Sequence, residues 1–321
     1  MSEEQQYRGD RWTQQTKSIL SSLSWIQKGD SNFDIPCYNR PSHKTGKEDR
    51  KNPHGIDLLF SYFDPYKKYE NTVIVESKER KWSGISTATL QSFVTQLHNS
   101  IECARMNENL ESLGCLNLND GLLVIWCNER DQFDQKKFKE YVNGLKISRR
   151  KNPINIYIAS NKEILQWCSL IQKIDQLKTE YNEFNFFFPS DYFSSGLTTA
   201  IRQEQLNLTH MFSDYIFAKG EKTVEHYGGS YIERVNHVFF FAEPSLEELK
   251  FMDNCIQHYQ FGDAHRLVIH FYGQQVKSRT NYEQYFRDKQ TSLKKDGSNL
   301  KIEYDYMIKL EEVPENFTFK G

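Results

Sequence analysis

The stretch HGIDLLFSYFDPYKKYENTVIVESK, residues 54 to 78, limits the chain's fold more than any other part of the sequence. Two β-forming runs, Gly55 to Phe63 and Thr72 to Lys78, flank the turn signal Asp64-Pro65. The second run carries consecutive β-branched residues Val73, Ile74 and Val75. Runs of this kind on either side of a turn predict adjacent antiparallel strands. Early on one strand lies opposite late on its partner, so Asp57 and Glu76 are expected at the same end of the sheet. Glu76 and Lys78 are two apart and leave the same face; Ser77 points to the other and offers its backbone carbonyl. The apolar run VIV implies a buried strand, where charged groups need a reason to be present.

The rest of the chain alternates helical and strand patterns. Arg11 to Lys28 has three-four apolar spacing that predicts a helix stopping at Gly29, and a loop with a weak strand near Phe33 follows. Ile85 to Arg105 carries one apolar stripe through Leu90, Phe93, Val94, Leu97 and Ile101, the mark of an amphipathic helix. GLLVIWC, residues 121 to 127, reads as a buried strand, 132 to 145 as a helix, 154 to 159 as a strand and 162 to 177 as a helix. Beyond Thr179 the composition shifts. Residues 198 to 217 read as a polar helix, Glu225 to Gly229 as a turn, and 237 to 241, 267 to 272 and 300 to 310 as strands. Helices are expected at 245 to 259, capped by Ser245, and at 282 to 293. The fold class expected is α/β with a mixed sheet, followed by a second α/β region. The expected domains are 1 to 178 and an accessory part, 179 to 321.

Bulk composition narrows the function classes. With 41 Lys+Arg against 43 Asp+Glu and a net charge of -2, the chain is not a globally basic nucleic-acid binder, though a local basic groove stays open. There is no apolar run of membrane-spanning length and no signal-peptide core at the N-terminus, so a soluble cytoplasmic protein is expected. The six cysteines, Cys37, Cys103, Cys115, Cys127, Cys168 and Cys255, form no C-x-x-C pair. That spacing argues against structural zinc and for reduced, buried thiols.

Two hard carboxylates and a carbonyl suit Mg²⁺, which would activate water and polarise a phosphodiester. Lys78 beside them is placed to orient or deprotonate the attacking water, or to stabilise developing negative charge. Asp57 followed by Glu76-Ser77-Lys78 on the next strand resembles the PD-(D/E)XK, restriction-endonuclease-like nucleases. The order helix, meander, helix, strand over residues 11 to 127 is similar to theirs, with the first meander strand near Phe33. There is no proline before Asp57; the motif reads Gly-Ile-Asp. The resemblance implies Asp57, Glu76 and the Ser77 carbonyl as metal ligands, with Mg²⁺ or Mn²⁺ as the ion. It implies Lys78 as the catalytic lysine, and Gln96, or Gln91 on the same helix, as a glutamine near the site. A nuclease half joined to a large second half resembles effectors of bacterial antiphage defence. DNA is the expected substrate, with a protein partner for the C-terminal half and an oligomeric assembly. A catalytically silent scaffold of the same fold is the alternative.

Arg80 and Lys81, followed by Trp82, are candidates for holding a phosphate backbone and stacking a base, as are Arg149 and Arg150 in KISRRK. His43 to Lys51 is a further candidate rim. His54 beside the motif reads more readily as a structural histidine than as a phosphate contact.

Overall fold

The computed structural model describes residues 3–44, 48–147, 152–189, 201–274 and 279–317, with the side chains of 3–6 excepted. The chain forms two compact units, Met1–Ile164 with Val313–Gly321, and Leu165–Glu312. Helix α5 (Asn161–Lys178) crosses from one to the other.

The first unit opens with α1 (Glu3–Ser22). The helix ends short of the expected Lys28 because Ser24 takes a left-handed backbone, φ 64°. Trp25 then buries against Tyr62, ring centroids 4.7 Å apart. The residues after it form the short strand β1 (Ile26–Gln27), which pairs antiparallel with β4 (Leu58–Asp64). The meander's first strand is therefore at Ile26. The strand expected near Phe33, β2 (Phe33–Ile35), pairs instead with β3 (His54–Ile56) in a separate two-stranded sheet. Strand β5 (Tyr69–Arg80) runs antiparallel to β4. It is followed by α2 (Thr87–Ala104), whose N-cap Ser86 accepts from Thr89 N. A short helix, α3 (Glu108–Ser112), precedes β6 (Leu118–Cys127); α4 (Gln135–Asn143) precedes β7 (Asn155–Ala159). Both β6 and β7 join in parallel, giving a five-stranded mixed sheet in the order β1-β4-β5-β6-β7.

The apolar stripe of α2 packs on this sheet through Leu90, Phe93, Leu97 and Ile101, against Leu59, Ile74 and Leu123. The approach is close at Gly121. A Cβ there would fall 2.8 Å from Ile101 Cδ1 and 3.1 Å from Leu97 Cγ. Gly121→Ala should cost about 1–3 kcal/mol through overpacking, measured as a lowered denaturation midpoint. A midpoint equal to wild type would show that α2 has room to move.

The second unit holds a six-stranded sheet in the order β13-β12-β11-β10-β8-β9. Its strands are β8 (Glu183–Phe188), β9 (Ile201–Gln203), β10 (Tyr215–His226), β11 (Gly229–Phe240), β12 (Arg266–Tyr272) and β13 (Lys301–Met307). Helices α6 (Leu246–His258) and α7 (Arg279–Lys295) connect the parallel strands β11, β12 and β13. Ser245 caps α6 as expected, accepting from Glu248 N at 3.1 Å.

The helix expected over 198 to 217 is not formed. Among the described residues, Ile201–Gln203 pair with β8, a loop with one 3-10 turn at His210–Phe212 follows, and the chain enters β10 at Tyr215; residues 198–200 lie outside the described residues. The hairpin β10–β11 is also far longer than its apolar segment suggests. Its outer half, near Gly228 (φ 108°), is exposed on both faces and so carries no apolar alternation.

Candidate active site

Asp57 sits at the break between β3 and β4, one residue before Leu58 pairs with Val75. That register sets it beside Glu76, as the hairpin argument requires. Its Oδ2 accepts from the Ser77 backbone N–H at 2.8 Å and from Lys78 Nζ at 3.1 Å. Lys78 Nζ also lies 2.5 Å from Glu76 Oε1. One ammonium thus bridges two carboxylates at the end of the β4–β5 pair. Gln96 on α2 donates its Nε2 to the same Glu76 oxygen at 3.2 Å.

The strand's alternation divides the supporting contacts between faces. Glu76 meets α2 on one side. Ser77 turns to the other, where its hydroxyl pairs with Thr13 of α1 at 2.7 Å and lies 3.4 Å from Asp57 Oδ2. Thr13 was not legible as a site neighbour, since a threonine inside an amphipathic helix carries no motif. Trp12 beside it anchors the helix to the sheet by donating to the Val124 carbonyl at 3.4 Å.

Glu76 is 1% exposed. Burial, and then repulsion from Asp57, push its carboxyl up to about 7, against the pull of Lys78. For Lys78, burial acts to lower the ammonium, but the charges of Glu76 and Asp57 outweigh it and raise it above the usual lysine range. Glu76 Oε2 is buried and has no hydrogen-bond partner. A buried carboxylate oxygen without a hydrogen-bond partner, in a cluster with a second carboxylate, is a donor set that fits a hard divalent cation.

Of the two glutamines weighed on α2, Gln96 reaches the site. Gln91 turns away and clamps residue 146, accepting from Lys146 N at 2.8 Å and donating to Lys146 O. Arg80 and Lys81 leave the end of β5 exposed and, with Arg8, Ser83 and Asn128, line an open groove just past Lys78. The Arg80 guanidinium also lies over the Phe93 ring, 5.2 Å from its centroid. Arg149 and Arg150 lie outside the described residues. His43 and His54 are fully buried, so neither belongs to an exposed phosphate-binding rim.

A strand-borne Asp…Glu-x-Lys cluster, backed by a helix that supplies a glutamine, is the arrangement of PD-(D/E)XK nucleases. Residues 1–163 match the family model of the GAPS4 protein PD-(D/E)XK nuclease domain. The chain belongs to this family. It is a family of bacterial antiphage defence effectors, and its fold is restriction-endonuclease-like. The GAPS4-type domain accounts for the first unit's mixed sheet and makes nucleic acid the substrate class of residues 1–163. No curated protein matches the chain. Among the described residues, no helix is long and apolar enough to cross a membrane.

Proposed function

We propose that the chain is a Mg²⁺-dependent endodeoxyribonuclease acting as an effector of antiphage defence in the cytoplasm. The observation that carries this reading is the single ammonium of Lys78 held between the carboxylates of Asp57 and Glu76. Asp57, Glu76 and the Ser77 carbonyl would hold the ion, with Mn²⁺ able to substitute. Bound there, the ion lowers the pKa of a water and polarises the phosphodiester.

The protein's own groups do the rest. Asp57 is fixed by the Ser77 N–H, which keeps its carboxylate aimed at the site. Gln96 holds Glu76 Oε1, and Oε2, buried without a protein partner, would be the oxygen offered to the ion. Lys78 places positive charge where an attacking oxygen and a phosphate oxygen gain negative charge. The groove of Arg8, Arg80 and Lys81 would carry the backbone of the substrate beside this centre. Residues 179 to 321 would form the accessory domain, binding a protein partner or mediating oligomerisation.

The test is cleavage of supercoiled plasmid with Mg²⁺ or Mn²⁺, alone and with any co-encoded partner. Glu76→Ala should abolish cutting that the wild type performs. If the wild type never cuts and Mn²⁺ binds no more tightly to it than to Glu76→Ala, the catalytically silent scaffold is the correct reading.

A further inference from the structure

Outside the nuclease site, the fold gathers Cys37, His43, His54 and Cys103 so that one ligand atom from each lies within 4.8 Å of all the others; His43, His54 and Cys103 are buried and Cys37 is half-buried. The residues come from three places. Cys37 follows β2, His43 stands in the loop after it, and His54 opens β3; Cys103 is in the last turn of α2. No C-x-x-C spacing announces them, which is why the cysteine spacing argued against zinc.

The distances do not suit a hydrogen-bond cluster. His43 Nδ1 lies 3.5 Å from Cys37 Sγ, 3.5 Å from Cys103 Sγ and 3.2 Å from His54 Nε2. One ring nitrogen has one proton or one lone pair, so it satisfies one of these three neighbours. A shared cation satisfies all of them. A tetrahedral zinc with Zn–S of about 2.3 Å and Zn–N of about 2.05 Å sets S···N separations near 3.5 Å and N···N near 3.3 Å. The observed spacings match both.

The surroundings match as well. His43 Nε2 lies 2.9 Å from Glu102 Oε2, the carboxylate partner that orients a metal-bound imidazole and raises its basicity. The Tyr38 backbone N–H donates to Cys103 Sγ at 3.3 Å, a bond that favours thiolate.

We propose that Cys37, His43, His54 and Cys103 form a closed Cys₂His₂ structural zinc site, separate from the Mg²⁺ site. Binding takes both thiols to thiolates and releases their protons to solvent, so the ion's two positive charges are neutralised inside the fold. With four protein ligands, no position is left open for water, and the role is structural. The ion ties the β2–β3 hairpin to α2. Asp57 follows directly on β3 and Gln96 is on α2, so the clamp joins the segments that deliver two of the site's residues.

The test is metal analysis of the full chain purified without chelator. Wild type and Glu76→Gln should both carry about one zinc per chain, because the nuclease carboxylates are not its ligands. Cys103→Ser should lose most of it and unfold at lower temperature. Cobalt loading of the wild type provides a readout that does not depend on that variant folding. Thiolate-to-cobalt charge transfer with tetrahedral ligand-field bands supports the site. Zinc that disappears in Glu76→Gln, or cobalt bound without a thiolate band, overturns it. So does metal-free, folded protein with Cys37 and Cys103 reactive to alkylation or joined as a disulfide.

Discussion

Lys78→Ala should reduce plasmid cleavage by about 10²–10⁴-fold at saturating Mg²⁺, the range expected when a positioned proton-transfer or charge-stabilising group is lost. Nothing among the described neighbours replaces it. Gln96 is neutral and already engaged with Glu76, and the Arg80 guanidinium is engaged elsewhere, donating to the Glu79 carbonyl and lying over the Phe93 ring. The same substitution leaves the buried Glu76 and Asp57 facing each other without their shared cation. Removing one partner of a buried ion pair costs about 3–5 kcal/mol. In metal-free protein Glu76 limits that loss by keeping its proton. The variant should therefore be markedly less stable than wild type at alkaline pH and recover part of the difference on acidification or on adding Mn²⁺. Rates of plasmid loss and denaturation midpoints for both proteins check this. Cleavage at the wild-type rate by Lys78→Ala would remove lysine from the mechanism.

The second large effect follows from Glu76 itself. Its folded value, about 7, lies above the ordinary glutamate value of 4.5, so the metal-free fold binds this proton more tightly than the unfolded chain does. Its contribution is fully present below about 4.5 and is lost as pH rises through about 7. The difference amounts to about 3 kcal/mol at most. Without divalent ions, the denaturation midpoint should fall across this window, and Glu76→Gln should flatten the fall. Mg²⁺ affinity should move the other way, rising with pH as the carboxyl gives up its proton, with cleavage following it. Thermal unfolding and calorimetric Mg²⁺ titration at several pH values measure both. A midpoint with the same pH dependence in wild type and Glu76→Gln would mean that Glu76 is already ionised in the apo fold.

The sequence by itself determined the arrangement of Asp57, Glu76, Ser77 and Lys78, because it depends only on local rules. Hairpin pairing brings two ends together, and strand alternation assigns each side chain a face. The helix after β5 was legible for the same reason, since its apolar stripe repeats at helical spacing. The stripe left Gln91 and Gln96 both open, and only the packed position of α2 on the sheet decided between them. The β10–β11 hairpin was hidden because its outer half is solvated on both faces, so no alternation marks it. The Cys37, His43, His54 and Cys103 cluster was hidden for a further reason. His43 and Cys103 are 60 residues apart, on a loop and on a helix, and no local periodicity relates them. Their meeting depends on β2 pairing with β3 and on that hairpin docking against α2, contacts that exist only once the first unit's core has formed.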